Sequence, residues 1–145
     1  VRRSGDYLEL ASGQFVYAAH CAPMGTADFV SVAEQFLHTP YLWGGKTALG
    51  IDCSGLVQVA IQACGLSCPR DSDMQERSLG FAVPDEQLRR GDLVFWKGHV
   101  GIMQDEHRLL HANGHHLMVV SELLKDAAGR IAARGSEITS IKRLQ

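Results

Sequence analysis

From Ser54 to Cys64 the chain is apolar except at Ser54, Gln58 and Gln62, three positions spaced by four. That spacing draws one polar line along a helix buried nearly all round, and Gly65 ends it at the position past the last turn where glycine is favoured. Upstream, Phe29, Val32, Ala33, Phe36 and Leu37 recur at i, i+3, i+4, i+7 and i+8, which predicts an amphipathic helix. Thr26 is placed to cap it and Asp28 suits its first turn. Thr39-Pro40 stops it, because the residue before proline avoids the helical region. Between the two helices, "PYLWGGKTALGID" (40–52) reads as an irregular glycine-rich loop. Before them, "YLELASGQFVYAAH" (7–20) reads as two short strands around Ser12-Gly13, joined to the rest through the Pro/Gly stretch "CAPMGT".

Beyond a polar connector (66–90) the period changes to two. Leu93–Trp96 leads through Lys97-Gly98 into His99–Gln104, "DEH" turns the chain, and Arg108–Ala112 returns. Asn113-Gly114 is a hairpin signal before a strand over His116–Val120. Ser121 is placed to cap a short helix ending near Gly129, and "EITSIKRL" reads as a last strand. A helical group followed by a meander of strands predicts an α+β fold, with an antiparallel sheet packed against the helix of residues 54–64. There are no repeats and no low-complexity segment.

Composition adds boundaries rather than chemistry. At 145 residues, 46% hydrophobic and with a formal net charge of −2, the chain suits one domain with a sizeable core. No basic stretch points to nucleic acid and no apolar run approaches a membrane span. The start "VRRSGDYLEL" has neither an initiator Met nor a signal-peptide core, the expectation for a processed chain or a piece of a longer one. Cys21, Cys64 and Cys68 read as ordinary small hydrophobes: the chain is too core-rich to need disulfides, and Cys64-x3-Cys68 is not the spacing of a metal or redox pair.

Cys53 differs. It sits between Asp52 and Ser54 where the buried helix begins, and a helix N-terminus carries partial positive charge and unpaired N–H groups that favour the thiolate. A nucleophile there needs a base, and the base needs an orienter. His20, His38, His107, His115 and His116 fall at element ends or turns and read as solvated. His99 and His111 instead interrupt apolar strands, "GHVGIM" and "RLLHAN", and the intervening turn brings those strands together. Core packing remains the alternative for each of the three residues. Zinc is the other: His111-x3-His115 has a helical ligand spacing, but Asn113-Gly114 breaks any helix there.

Six pieces in order give the sequence a resemblance: "PYLWGG" (40–45), "DCSGLV" (52–57), "PRDSDMQ" (69–75), "RRGDLVFW" (89–96), "HVGI" (99–102) and "LLHA" (109–112). Together they resemble the NlpC/P60 family of papain-like cysteine peptidases, which cleave cell-wall peptides, over roughly residues 26–120. The resemblance implies Cys53 as nucleophile, His99 as base and His111 as the polar residue orienting it. It also implies that Tyr41, Trp43, Asp52, Ser54 and Ser72 bind substrate, with Asp52 either shaping the turn into the helix or pairing with a free α-amino group. Residues 1–22 look like the last strands of a bacterial SH3-like domain preceding a catalytic domain over residues 23–145. The implied reaction is hydrolysis of the γ-D-glutamyl–diaminopimelate or γ-D-glutamyl–lysine bond in stem peptides or muropeptides, without metal or organic cofactor. Alternatives on the same fold are an N-acetylmuramoyl-L-alanine amidase or an acyltransferase, and in another class a non-catalytic cell-wall binding module. Action on recycled peptides in the cytoplasm is expected ahead of the cell envelope.

Overall fold

The computed structural model describes residues 1–21 and 28–144. Strands β1 (Arg2–Ser4), β2 (Tyr7–Glu9) and β3 (Phe15–Tyr17) form a small antiparallel sheet of their own. The first of these has no hydrophobic alternation to betray it, since "RRS" is exposed throughout. Most of the expected Pro/Gly joint lies outside the described residues, as does Thr26. The cap on α1 (Phe29–Glu34) is Asp28, whose carboxylate accepts the Val30 N–H at 3.2 Å. The helix is shorter than its periodicity suggested: it loosens into turns over residues 35–38, and His38 takes a positive φ of 69° just before Thr39-Pro40.

The glycine-rich loop contains a minimal hairpin, β4 (Lys46–Thr47) and β5 (Gly50–Ile51), and runs into α2 (Cys53–Ala63). Gly65, at φ +80°, follows this helix as expected. Two members of its polar line are buried and satisfied. Gln58 accepts from Lys46 Nζ at 3.1 Å and donates to the Cys68 carbonyl at 2.9 Å, while Gln62 is exposed. The connector is more ordered than its polarity implied, carrying α3 (Ser72–Ser78) and β6 (Phe81–Ala82). Gln75 explains α3: wholly buried, it donates to the Ser54 carbonyl at 2.9 Å and the Pro69 carbonyl at 3.0 Å, tying the short helix to the start of α2.

The remaining elements are β7 (Asp92–Trp96), β8 (His99–Met103), β9 (Arg108–Asn113), β10 (Met118–Leu123), α4 (Leu124–Ala132) and β11 (Ile138–Arg143). With β6 they build a six-stranded antiparallel sheet in the order β10-β9-β8-β7-β11-β6. Two local expectations are corrected here. Asn113-Gly114 is not a two-residue turn: Asn113 still pairs with Met118, leaving a four-residue loop. The Asn113 carboxamide shapes this loop by accepting the backbone N–H groups of His115 and His116. Ser121 lies inside β10 and caps nothing, because the strand continues to Leu123 and α4 follows directly.

Alternation divides the sheet into two apolar faces. Leu93, Phe95, Val100, Ile102, Leu110, Ala112 and Val119 face α1 and α2 in the main core. Val94, Trp96, Met103, Leu109 and Ile141 form a second core under α4, which supplies Leu124, Ala127, Ala128 and Ile131 at helical spacing. The sheet is therefore covered on both sides, where the sequence reading placed one core helix against it. His99 and His111, out of phase with Val100 and Ala112, belong to the α4 side.

Candidate active site

Cys53 is the first residue of α2 and is buried to 8% exposure, its free thiol lying against the backbone of Val100 in β8. The thiol thus lies against the residue that follows His99, where β8 begins. The loop conformation depends on close backbone approach. A Cβ on Gly55 would collide with the Gly45 carbonyl and with Asp52 Oδ1, so the glycine-rich loop can lie flat on the first turn of α2 only over glycine.

The expected thiolate does not result from this setting. Burial, ahead of every other influence, pushes the Cys53 thiol up, and the neighbouring Asp52 carboxylate adds to it; N–H groups of Val100, Ser54 and Cys53 itself pull the other way. Burial, assisted by His111 and Arg130, pushes His99 down to about 3. Burial thus favours the neutral form of both groups, so an attack must carry the proton from sulfur to imidazole as it proceeds.

Behind His99 runs a chain of short contacts. His99 Nε2 meets His111 Nδ1 at 2.8 Å, and His111 Nε2 meets Glu122 Oε1 at 2.7 Å. Arg130 of α4 grips Glu122 with both guanidinium nitrogens, at 2.9 and 2.5 Å. The sheet register makes the first contact possible: extending the Ile102–Leu110 pairing sets His111 opposite Gly101, diagonal to His99 on the same face. Glu122 lies two residues from Val120, the partner of His111, and reaches it by the same diagonal. His111 is 1% exposed, while His115 lies exposed in the following loop, so the spacing that suggested zinc does not bring these two side chains to one point.

A cleft of about 440 Å³ opens over Cys53, lined by Tyr41, Trp43, Asp52, Ser54, Arg70, Asp71 and Ser72 among others. All five residues expected to bind substrate therefore share one wall system with the thiol. Trp43 is 83% exposed, which removes loop packing as its role. Ser72 begins α3 rather than capping it, the preceding Asp71 being the cap position. Tyr41 is half-buried, and burial together with Cys53 and Asp52 pushes its hydroxyl up, keeping it a donor.

Asp52 is heavily engaged. Oδ1 accepts from Gly55 N–H at 2.7 Å and Arg70 at 2.9 Å; Oδ2 accepts from Gly44 N–H at 2.7 Å and Arg70 at 2.6 Å. It caps α2, pins the loop and anchors the connector at once. Its carboxyl is held below the usual range by these donors despite the opposing effect of burial. Arg70 also donates to Ser54 Oγ at 3.0 Å. The sequence singled out neither Arg70 nor Glu122 nor Arg130. Arg70 lies in the quoted "PRDSDMQ", but only the folded connector shows that it meets Asp52.

A model of the NlpC/P60 family matches residues 38–130. The chain belongs to the NlpC/P60 family. Among its relatives, a γ-D-glutamyl-L-lysine dipeptidyl-peptidase of Bacillus cereus is 36% identical over 91 residues, covering 62% of this chain and 27% of that protein. The protein of the same name in Bacillus subtilis is 37% identical over 112 residues, covering 68% and 38%. The chain thus spans about a third of the length of these relatives. A solved NlpC/P60 protein from Bacillus cereus superimposes with a TM-score of 0.75 at 27% identity, over 99% of this chain and 52% of that one. The peptidoglycan hydrolase RipB of Mycobacterium tuberculosis does so with 0.67 at 28% identity, over 80% and 62%. This agreement extends to the α+β architecture read from the sequence.

Proposed function

We propose that this NlpC/P60 domain is a cysteine peptidase that hydrolyses the γ-D-glutamyl–diamino acid bond of cell-wall stem peptides. What supports the reading is that Cys53, at the head of α2, opens into a cleft lined by polar and aromatic residues and lies against β8, the strand that carries the hydrogen-bonded His99 of the His99–His111 pair. The names of its relatives supply the substrate class.

Cys53 Sγ attacks the γ-carbonyl carbon while its proton passes to His99. The tetrahedral oxyanion is met by the backbone N–H of Cys53, one of the donors a helix leaves unpaired in its first turn, and by the Tyr41 hydroxyl. Collapse breaks the C–N bond as His99 returns the proton to the departing amine. Water, deprotonated by His99, then cleaves the thioester and frees the thiol. In the cleft, Trp43, Ser54 and Ser72 are placed to contact the acyl side. For a free α-amino group Asp71 is better suited than Asp52, since each Asp52 oxygen already has at least two donors while Asp71 is exposed and its side chain makes no capping bond to its own helix. A preference for free amino termini would suit peptides already released from the wall, which favours a cytoplasmic place of action.

Mass spectrometry of products from L-Ala-γ-D-Glu-diaminopimelate, its lysine counterpart, their N-acetylated forms and a muropeptide tests the reading. The expected result is L-Ala-γ-D-Glu plus the free diamino acid, faster from unblocked peptides. Release of the whole stem from muramic acid would mark an amidase, transfer to an added amine an acyltransferase, and binding without turnover a wall-binding module.

A further inference from the structure

The contacts behind the histidine pair reach well past the three residues that the reaction requires. We propose that Glu122, clamped by Arg130, is a positioning residue that fixes which nitrogen carries the proton in both His111 and His99. The inference rests on the peptidase reading for its consequence, but its structural content stands on hydrogen-bond direction alone.

Arg130 gives two donors to Glu122, and the carboxyl is pushed down to about 2, with its bonds to His111 and Arg130 overcoming its burial. Glu122 is therefore an acceptor only, and at 2.7 Å it takes a hydrogen from His111 Nε2. Neutral His111 then has a bare Nδ1, which at 2.8 Å can only accept from His99 Nε2. That leaves His99 with its lone pair on Nδ1, the nitrogen with no partner among the described residues. This is the form a base needs. Asn113 Nδ2 also approaches His111 Nε2, at 3.1 Å, but its orientation is dictated by the loop N–H groups on its oxygen. A neutral amide there does not outweigh a carboxylate 0.4 Å nearer. The other titratable neighbour, His116, stands 3.9 Å from Glu122.

Gln in place of Glu122 is nearly isosteric and breaks this logic. Glu122 Oε1 accepts from both His111 and Arg130, and Oε2 accepts from Arg130. An amide must turn its NH2 toward one of them. At the Oε2 position it sets donor against donor at Arg130 and leaves an oxygen facing His111; at the Oε1 position it opposes Arg130 as well, reverses every proton in the chain and puts a hydrogen on His99 Nδ1. In either arrangement the negative charge that would balance imidazolium during attack is gone.

The test combines 15N spectra of histidine-labelled protein with steady-state kinetics. In the wild type, His99 and His111 should each show a protonated Nε2 and a bare Nδ1 at neutral pH. Glu122→Gln should disturb that pattern and lower kcat by about 10- to 100-fold while leaving KM within about twofold, the signature of a loss felt only in the transition state. A wild-type spectrum with a hydrogen on His99 Nδ1 overturns the proposal whether or not the variant folds. So does a Glu122→Gln enzyme that keeps kcat within twofold. Wild-type protein with the stated tautomers and no turnover on any stem peptide would instead count against the peptidase reading.

Discussion

Replacing Asp52 by Asn preserves shape and removes one charge, and the geometry makes the consequence calculable. Each carboxylate oxygen accepts from a backbone N–H and from Arg70, and Oδ1 also accepts from Ser54 Oγ at 3.4 Å. Whichever oxygen becomes NH2, two donors lose their acceptor and face another donor. A hydrogen bond involving a charged partner contributes about 1.5–3 kcal/mol. Two lost bonds, one of them to a guanidinium, place the expected destabilisation at about 3–5 kcal/mol, the range for breaking a buried ion pair from one side. Asp52 is nearly inaccessible and the Arg70 side chain retains 29% exposure, so little of this is recovered by solvent. Urea denaturation is the assay: with a slope of about 2 kcal/mol per molar, the midpoint should fall by about 2 M. A loss below about 1 kcal/mol would refute the reasoning, because the carboxylate could not then be the shared acceptor of the two backbone N–H groups and Arg70.

Other consequences follow from burial and close packing. His99 acts as base only when neutral, and its pKa is pushed down to about 3, so kcat/KM should stay flat from neutral pH to about pH 5 and decline only below it; an acid limb near the ordinary 6.5 of a free imidazole would contradict this. Stability should nonetheless fall as pH drops below about 6.5, because His99 and His111 are depressed and the unfolded chain takes up their protons first. It should fall further below about 4.5 as depressed Glu122 and Asp52 are forced toward protonation, an acid loss measurable by thermal unfolding across pH. Gly55→Ala should destabilise by about 1–3 kcal/mol and depress turnover, since its Cβ has no room beside the Gly45 carbonyl. Gly129→Ala, in open space on α4, should stabilise by about 0.5–1 kcal/mol, and equal effects at the two sites would discount the packing argument.

The parts of this structure that were legible in the sequence are those with strong periodicity. The helix from residue 53 and the strands bearing His99 and His111 stood out because each polar residue there interrupts an apolar pattern. That exception singled out both histidines, whereas Cys53 stood out by its place at the start of the buried helix between Asp52 and Ser54. Features held by long-range partners were not: α3 depends on Gln75 reaching the Ser54 and Pro69 carbonyls, and nothing in a polar connector announces that. The second core was missed for a different reason. Leu124, Ala127, Ala128 and Ile131 have helical spacing, but Ser121 drew attention as a cap and the strand simply ran through it. Arg70, Glu122 and Arg130 are ordinary charged residues until the fold brings Asp52 and His111 against them. Local electrostatics also misled: position at a helix N-terminus argued for a thiolate, and burial outweighed it.

The most direct test of the account is to trap the covalent intermediate. Rapid quench of the wild type with L-Ala-γ-D-Glu-diaminopimelate, followed by digestion and peptide mass spectrometry, should find the L-Ala-γ-D-Glu acyl group as a thioester on Cys53. Cys53→Ala should give neither adduct nor products. Turnover that survives in Cys53→Ala, or an acyl group that maps to Cys21, Cys64 or Cys68, would contradict the assignment of Cys53 as the nucleophile.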